Sequence, residues 1–429
     1  MKKILLNTIA AMSACFVLTA CHKEGGASQP TTITIENVLD SKPLVESGTF
    51  MGSETPVIVS GKSVSFTFSA AKNHRLTFAT MYGWSNDLFF APENPGIRLY
   101  TDDGTPITGD VSDQIKLWDN GTRVNQAPGA SVTHPGDAES ASMNITEVNG
   151  ADSYGNNYVP VSQLMKVSLV YEGNSTFTAT IMNISGGTAN ETPFSPGVWA
   201  ISYTVGADQL IPEPIYSADK PTANGLTNIA ETGDNAPMNT YLTGITGIFT
   251  PLSPIMVVVY NGTENPFYKV DENDRGQGLK ELAQKGNADI LAAFLKTKTG
   301  IKNVYVLKEP TTTVLLPKIN GAPGGQVSQV LNIADGDRIA VATMYGYSND
   351  WFFASTGNDI DGKLKGDLSS IMGLFDNGTA INQFPGAGIT QFNLAGTPLT
   401  ESKLIQAVPN PNAFTTLPAL TNMIKVSLK

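Results

Sequence analysis

One block of sequence occurs twice, and any fold the chain adopts must accommodate both copies. Residues 75–91 read RLTFATMYGWSNDLFFA and residues 338–354 read RIAVATMYGYSNDWFFA, with 12 of 17 positions identical. A second pair follows: WDNGTRVNQAPGA at 118–130 and FDNGTAINQFPGA at 375–387, with 9 of 13 identical. The offset is 263 in the first pair and 257 in the second, so six residues (263 − 257) are lost between preserved ends. Preserved ends around a variable middle mark a surface loop between two structural elements. The chain therefore holds two copies of one folding unit. Whatever Asp87 and Asp119 do, Asp350 and Asp376 are placed to do as well.

The local pattern within each copy is that of a β protein. Thr32 to Val38 (TITIENV) and Ser63 to Phe68 (SVSFTF) alternate with β-branched and aromatic residues, which predicts strands. Val57 to Lys62 reads as a further strand before a Gly-bearing turn. Arg75 to Tyr82 carries Leu76, Phe78 and Thr80 on one face and Thr77, Ala79 and Met81 on the other, so both faces are expected to be buried. Gln114 to Trp118 predicts a short strand ending at Asp119-Asn120-Gly121-Thr122, and residues 131–160 read as a long loop. Lys166 to Tyr171 (KVSLVY) and Lys425 to Leu428 (KVSL) close the two units. At about 100–200 residues per domain, 429 residues predict two or three domains.

A second internal repeat lies in the later half. Residues 226–248 align without gaps on residues 279–301, and Leu226, Ala230, Gly233, Leu242, Gly247 and Ile248 recur. The later copy has helical spacing (Leu279, Leu282, Ala283, then Ile290, Leu291, Phe294, Leu295), with Asn287 or Asp289 as the cap between helices. Each copy follows a Ser-Pro strand, Phe194 to Tyr203 and Leu252 to Tyr260. The reading is a strand–helix-pair segment duplicated at 174–249 and 250–312 and absent from the first unit. The expected division is 1–20 signal peptide, 21–31 tether, 32–172 first unit and 173–429 second unit, with the boundary at Glu172-Gly173-Asn174.

The ordered motifs MYGWSND-FF, Gly109-Asp110 with Gly366-Asp367, WDNGT and the closing MKVSL strand resemble the spondin N-terminal domain. The resemblance is closest to its bacterial members, which occur in tandem on lipoproteins. It implies tandem C2-like antiparallel β-sandwiches, mainly β, with the helical segment as an insertion in the second half. It also implies calcium at loop aspartates. By motif these are Asp87 and Asp350 in one loop, and Asp119 and Asp376 in the other. The family's third acidic ligand falls near Ser69 and Asn332, neither of which is charged.

The residues themselves leave two readings of those aspartates open. Two carboxylates brought together repel unless a cation lies between them, and calcium takes six to eight oxygens, many from loop carbonyls. Asp-Asn-Gly-Thr is equally a turn, with Asp and Asn capping the backbone and Gly at positive φ. The aromatics Tyr82, Trp84, Tyr345 and Tyr347 flank the same loops. They are either a contact surface for a sugar or protein, or caps on the core.

Other chemistry finds little support. Asp271 to Gly276 resembles the start of an EF-hand loop, but Arg275 and Leu282 stand where ligands are required. The three histidines, His22, His74 and His134, fall in no zinc or triad spacing. No nucleophile elbow, P-loop or dinucleotide fingerprint is present. The expectation is a non-enzymatic protein, with a hydrolase as the remote alternative. A formal charge of −11 argues against nucleic acid and against an anionic membrane surface as partner, and suits cation binding.

The N-terminus carries an address. Lys2 and Lys3 precede an apolar run from Ile4 to Leu18, too short to span a bilayer comfortably. Leu18-Thr19-Ala20-Cys21 matches the bacterial lipobox, which implies cleavage before Cys21 and its acylation. Several acyl chains give stable anchoring where one does not. His22 rather than Asp after the cysteine favours the outer membrane, and Lys23-Glu24 resembles part of a surface-export signal. Both cysteines, Cys15 and Cys21, lie in this segment, so the body has no thiol for a disulfide, a nucleophile or zinc. The expectations for partners are a membrane, through the lipid anchor, and a glycan or extracellular protein ligand.

Overall fold

The computed structural model describes residues 28–356 and 359–429. The signal segment and the acylation site at Cys21 lie outside these residues. In chain order the strands begin with β1 (Gln29–Asn37), β2 (Leu44–Phe50), β3 (Ser63–Ser69), β4 (Arg75–Met81), β5 (Leu88–Pro92) and β6 (Ile97–Arg98). Next are β7 (Gly109–Asp110), β8 (Ile115–Asp119), β9 (Thr146–Glu147), β10 (Met165–Gly173), β11 (Thr176–Asn183) and β12 (Gly197–Ser202). A small hairpin, β13 (Thr204–Val205) and β14 (Asp208–Gln209), leads to helices α1 (Leu226–Thr232) and α2 (Ala236–Gly244). Then come β15 (Ile255–Tyr260), α3 (Leu279–Lys285), α4 (Asp289–Leu295), β16 (Ile301–Leu307), β17 (Gln326–Ile333) and β18 (Arg338–Met344). The chain closes with β19 (Trp351–Ser355), β20 (Ile360–Asp361), β21 (Gly366–Asp367), β22 (Met372–Asp376), β23 (Gln406–Ala407) and β24 (Ile424–Leu428).

These strands form two antiparallel sandwiches, so the mainly-β class expected from the sequence is what the chain adopts. In the first sandwich the sheet β3-β11-β10-β7 faces the sheet β2-β12-β4-β5-β8-β9. Phe66 of β3 stacks on Trp199 of β12, centroids 5.2 Å apart, across the space between them. In the second, β17-β1-β24-β21 faces β16-β15-β18-β19-β22-β23. A helix pair covers the outer face of each larger sheet. Leu226, Ile229, Met238 and Leu242 pack on Ala79, Phe89, Val198 and Ala200. Leu279, Leu282, Leu291 and Leu295 pack on Met256, Val258, Ala340 and Phe352. The larger sheets are thus covered on both faces, which is why β4, β12, β15 and β18 are buried at nearly every position.

Glycine sets the angle of both helix pairs. Gly225 and Gly278 precede α1 and α3 in the left-handed region, at φ 93° and 105°. A Cβ at either position would lie within 2.7 Å of a backbone nitrogen of the next helix, Met238 or Leu291. Only glycine supplies this backbone conformation at that approach. The cap of α4 is Ala288, between the two expected candidates, and Asn287 Oδ1 accepts from Asp289 N at 2.9 Å one residue ahead of it.

The units are related by a circular permutation, and this changes the expected division. Strand β1 pairs with β17 and β24, Ile33 lying opposite both Gln329 and Leu428. It fills the place in the second sandwich that β11 fills in the first. It therefore belongs to the second unit, whereas its place in the sequence predicts the opening strand of the first. Glu172-Gly173-Asn174 is no boundary but the turn of the β10–β11 hairpin, with Tyr171 opposite Phe177. The first sandwich runs on through β12, which pairs with β2 and β4, and through α1–α2. The first unit thus has its own helical piece, contrary to the sequence reading. Unit one is continuous from β2 to α2, and it sits between the first and second strands of unit two. Residues 57–62 form no strand; only Ile58 bridges, to Phe194. The edge position is taken by β2.

The units stack end to end. Tyr203, at the close of β12, packs on Phe249, which packs on Tyr347 of the second unit. The Tyr347 hydroxyl donates to Thr204 O at 2.9 Å. Ile389 N donates to Ser175 Oγ at 2.8 Å. The loop end of unit two therefore abuts the base of unit one, and the loop end of unit one forms a free tip.

The topology makes a direct prediction. A fragment of residues 41–250 should melt as one cooperative unit by circular dichroism. A fragment of residues 173–429, which lacks β1 and carries β11 and β12 without their sheets, should not. The reverse outcome would contradict the permuted arrangement.

Candidate functional site

The four aspartates form two pairs, one per unit, built by the same local rules. The link between β4 and β5 contains Ser85-Asn86-Asp87, and each residue has a separate task. Ser85 Oγ donates to Tyr82 O (2.7 Å) and accepts from Leu88 N (3.1 Å), closing the turn. Asn86 Oδ1 accepts from Gln126 N at 2.8 Å, tying in the loop after β8. Asp87 stands one residue before Leu88, which pairs with Asp119 across β5 and β8. That register brings the two acids to adjacent strand ends, and Asn120 N donates to Asp87 O at 3.2 Å. The second unit repeats this through Ser348, Asn349 and Asp350, with Trp351 opposite Asp376 and Asn377 N donating to Asp350 O at 3.2 Å.

Asp87 is fully buried and uses its two oxygens unequally. Oδ2 lies 2.7 Å from Thr122 N, 2.8 Å from Arg123 N and 3.0 Å from Thr122 Oγ1. Oδ1 is buried with no hydrogen-bond partner. Asp350 matches it: Oδ2 lies 2.6 Å from Thr379 N, 2.9 Å from Ala380 N and 2.9 Å from Thr379 Oγ1, and Oδ1 is again bare. The partner acids are Asx turns over glycine. Asp119 accepts from Gly121 N (2.8 Å) and Asn125 Nδ2 (2.6 Å), and Asp376 from Gly378 N (2.8 Å) and Asn382 Nδ2 (2.5 Å). Asp119 and Asp376 thus hold the Asp-Asn-Gly-Thr turn together through their side chains, and this turn bonding leaves both readings of the pair open. It does not account for the bare oxygens of Asp87 and Asp350.

More bare oxygens lie on the same loops. Asn120 Oδ1, Asn125 Oδ1 and Asn377 Oδ1 are buried without partners. In unit one, Thr122 Oγ1 also lies 2.8 Å from Glu231 Oε1 of α1, and its single proton serves one carboxylate at a time. Arg123 compensates, donating to Glu231 Oε2 at 2.7 Å. In unit two Ala380 stands for Arg123 and Gln284 for Glu231, and Gln284 Nε2 donates to Thr379 Oγ1 at 3.0 Å. The cation and the extra anion are thus lost together, because a buried charge without its partner is costly.

Burial raises the Asp87 carboxyl to about 7, Asp119 adds to the rise, and the hydrogen bonds to Oδ2 offset part of it. Asp350 is raised to about 7 for the same reasons, burial first and then Asp376. Burial also raises Asp119. A buried carboxyl with one bare oxygen is comfortable in two states: protonated, or ionised against a cation. Near neutral pH both are within reach.

The unpartnered oxygens of Asp87, Asp350, Asn120, Asn125 and Asn377 are of the kind a hard cation takes, whereas Arg123 Nε, on the first of these loops, is a buried donor without a partner. Among the described residues no group of three or more His, Cys, Asp or Glu side chains is arranged to hold a metal. Ser69 and Asn332 are not near the aspartates. They end β3 and β17, each joined by a short link to the start of β4 or β18, whereas Asp87 and Asp350 follow the far ends of those strands. Sequence reasoning missed Asn120, Asn125 and their twins. The signal was present, because the D-N-G-T-x-x-N-Q pattern is identical at every fixed position in the two copies.

Of the flanking aromatics, Tyr82, Tyr345 and Tyr347 are buried caps on the core. Trp84 alone is half-buried and faces a cleft. His74 is buried, and burial lowers it to about 3, so it is neutral; its Nδ1 accepts from Ala71 N at 3.4 Å. Asp274, in the EF-hand-like stretch, accepts from Gly276 N and from Asn377 Nδ2 (3.0 Å), as a polar loop residue does. Among the described residues no helix is long and apolar enough to cross a membrane. Compared with known proteins, the chain matches no family model and no curated protein.

The raised carboxyls fix a pH dependence. Folding moves Asp87 and Asp350 from an ordinary 3.8 to about 7. Between those values the folded chain holds protons that the unfolded chain has released, so stability falls as pH rises through the interval and levels off above it. In EGTA, melting temperature should decline from about pH 4 to about pH 7. Asp87→Asn with Asp350→Asn should flatten the decline. A wild type and double variant with parallel pH profiles would contradict this.

Proposed function

We propose that the protein is a lipid-anchored binding or adhesion module of the bacterial outer membrane. Two spondin-like sandwiches form it, each stabilised by calcium at its aspartate pair. The observation that carries the calcium reading is the buried, unpartnered Oδ1 of Asp87, repeated at Asp350. Asp87 and Asp119 would hold one ion and Asp350 and Asp376 the other, with carboxamide oxygens of Asn120, Asn125 and Asn377 available on the same loops. A bound divalent cation neutralises the carboxylates and ties the loop after β8 to the β4–β5 link. The role is structural support of a binding tip. Two carboxylates per ion suit the weak affinity of extracellular modules, roughly 10⁻⁴ to 10⁻³ M.

The binding reading rests on architecture. The family resemblance, the lipobox at Cys21 and the lack of any catalytic spacing favour it over a hydrolase. A purely structural envelope component is the alternative, and it is supported if no glycan or protein ligand is found. The anchor has its own test: Cys21→Ser should move the protein from the detergent phase to the aqueous phase in a Triton X-114 partition. Equal partitioning of both forms would remove the anchor from the proposal.

Calcium is tested by melting the full-length protein in EGTA and across a calcium titration, alongside Asp87→Asn plus Asp350→Asn. At one hundred times Kd each site adds about 2.7 kcal/mol. The wild type should melt several degrees higher with calcium, and the variant should not respond. Affinity should strengthen as pH rises through about 7, because the ion competes with the proton on Asp87 and Asp350. A wild type that melts at one temperature throughout would reduce the aspartates to turn residues.

A further inference from the structure

The two units differ at one place where they ought to match. Beside the first aspartate pair is a cleft of about 440 Å³, lined by Met81, Gly83, Trp84, His134, Thr232 and Gly233 among others. Its size is that of a ligand site. The twin location in unit two is filled by the chain itself. The segments are superposable in sequence up to Thr133 and Thr390, whose backbone N–H groups donate to Gln126 Oε1 (3.0 Å) and Gln383 Oε1 (2.9 Å). They then diverge. Unit one continues His134-Pro135-Gly136-Asp137-Ala138, and unit two Gln391-Phe392-Asn393-Leu394-Ala395.

The second segment folds inward as a plug. Asn393 Nδ2 donates to Gly346 O at 2.6 Å and lies 3.9 Å from Met344 Sδ. The Phe392 ring lies at the rim, 43% exposed, under Lys285 Nζ at 5.9 Å from its centroid, and Leu394 is buried. Each contacted residue has a twin in the open cleft: Gly346 matches Gly83, Met344 matches Met81 and Lys285 matches Thr232. In unit one no described donor reaches Gly83 O. The neighbouring aromatic points the same way. Tyr347 docks on the base of unit one through Thr204 O and Phe249, whereas its twin Trp84 stands half-buried at the free tip.

We infer that this cleft is a docking site for a turn of a partner polypeptide. The turn places a side-chain carboxamide on Gly83 O, as Asn393 does on Gly346 O in the twin, and an apolar residue beside Thr232, as Phe392 lies beside Lys285. The inference deepens the binding-module reading and rests on it for the existence of a partner. None of the proposed calcium ligands lines the cleft.

The probe is a cyclic peptide of residues 388–396, Gly-Ile-Thr-Gln-Phe-Asn-Leu-Ala-Gly, titrated calorimetrically into the full-length protein in EGTA. Cyclisation holds the turn, so a negative result does not reflect the cost of ordering a free peptide. Saturable binding at one site per chain is expected, about tenfold weaker when Leu replaces the peptide's Asn. Thr232→Trp, at an exposed rim position, should abolish it at unchanged melting temperature. If that variant melts early, Val57→Trp on the other rim replaces it. No saturable binding, equal binding by the Leu peptide, or undiminished binding by a folded rim variant would each overturn the inference. Because calcium is chelated, failure here leaves the metal test standing on its own.

Discussion

In each unit one carboxylate oxygen holds three donors from a loop that would otherwise be free. Asp87 Oδ2 gathers the N–H groups of Thr122 and Arg123 and the Thr122 hydroxyl, and Asp350 Oδ2 gathers their counterparts. This clamp joins the β4–β5 link to the loop after β8, and the loop in turn reaches the helix pair through Thr122 and Glu231. Charge-assisted hydrogen bonds of this kind are about twice as strong as neutral ones. The cost is the second oxygen, which the fold buries and leaves bare. The same carboxylate therefore orders the loop and creates a demand for a proton or a cation.

The permutation decides what each clamp can be used for. Unit one is inserted into unit two between β1 and β15, and the units stack with the loop end of one against the base of the other. The clamp at Asp350 consequently lies toward the junction, where Tyr347 and the loop around Ile389 meet unit one. The clamp at Asp87 lies at the free tip beside an open cleft. Identical chemistry is thus placed once as internal reinforcement and once at a surface. The divergence after Thr133 and Thr390 follows the same division, a plug on one side and a rim on the other.

The sequence carried much of this but not its long-range pairing. Strand periodicity marks β4, β10 and β24, and the duplication carries β4 over to β18 and pairs Asp87 with Asp350 and Asp119 with Asp376. It could not show that β1 pairs with residues nearly 300 positions away, because alternation in Ile33 and Ile35 specifies a buried face and not a partner. The helices α1 and α2 were aligned to their twins but assigned to the wrong unit. Their apolar residues likewise do not say which sheet they cover. Ser69 and Asn332 were matched by motif position, while strand direction puts them at the opposite end of the sandwich. The unequal use of the two Asp87 oxygens had no sequence signal, since it depends on where Thr122 and Arg123 fold back.

The most direct measurement is a count. Equilibrium dialysis of the metal-stripped protein at pH 8 against about 10 mM calcium, ten to one hundred times the expected Kd, followed by elemental analysis, gives ions bound per chain. Two are expected for the wild type, one for either Asp87→Asn or Asp350→Asn, and none for the double variant. A wild type that retains no calcium, or a double variant that retains as much as the wild type, would contradict the account of the bare oxygens.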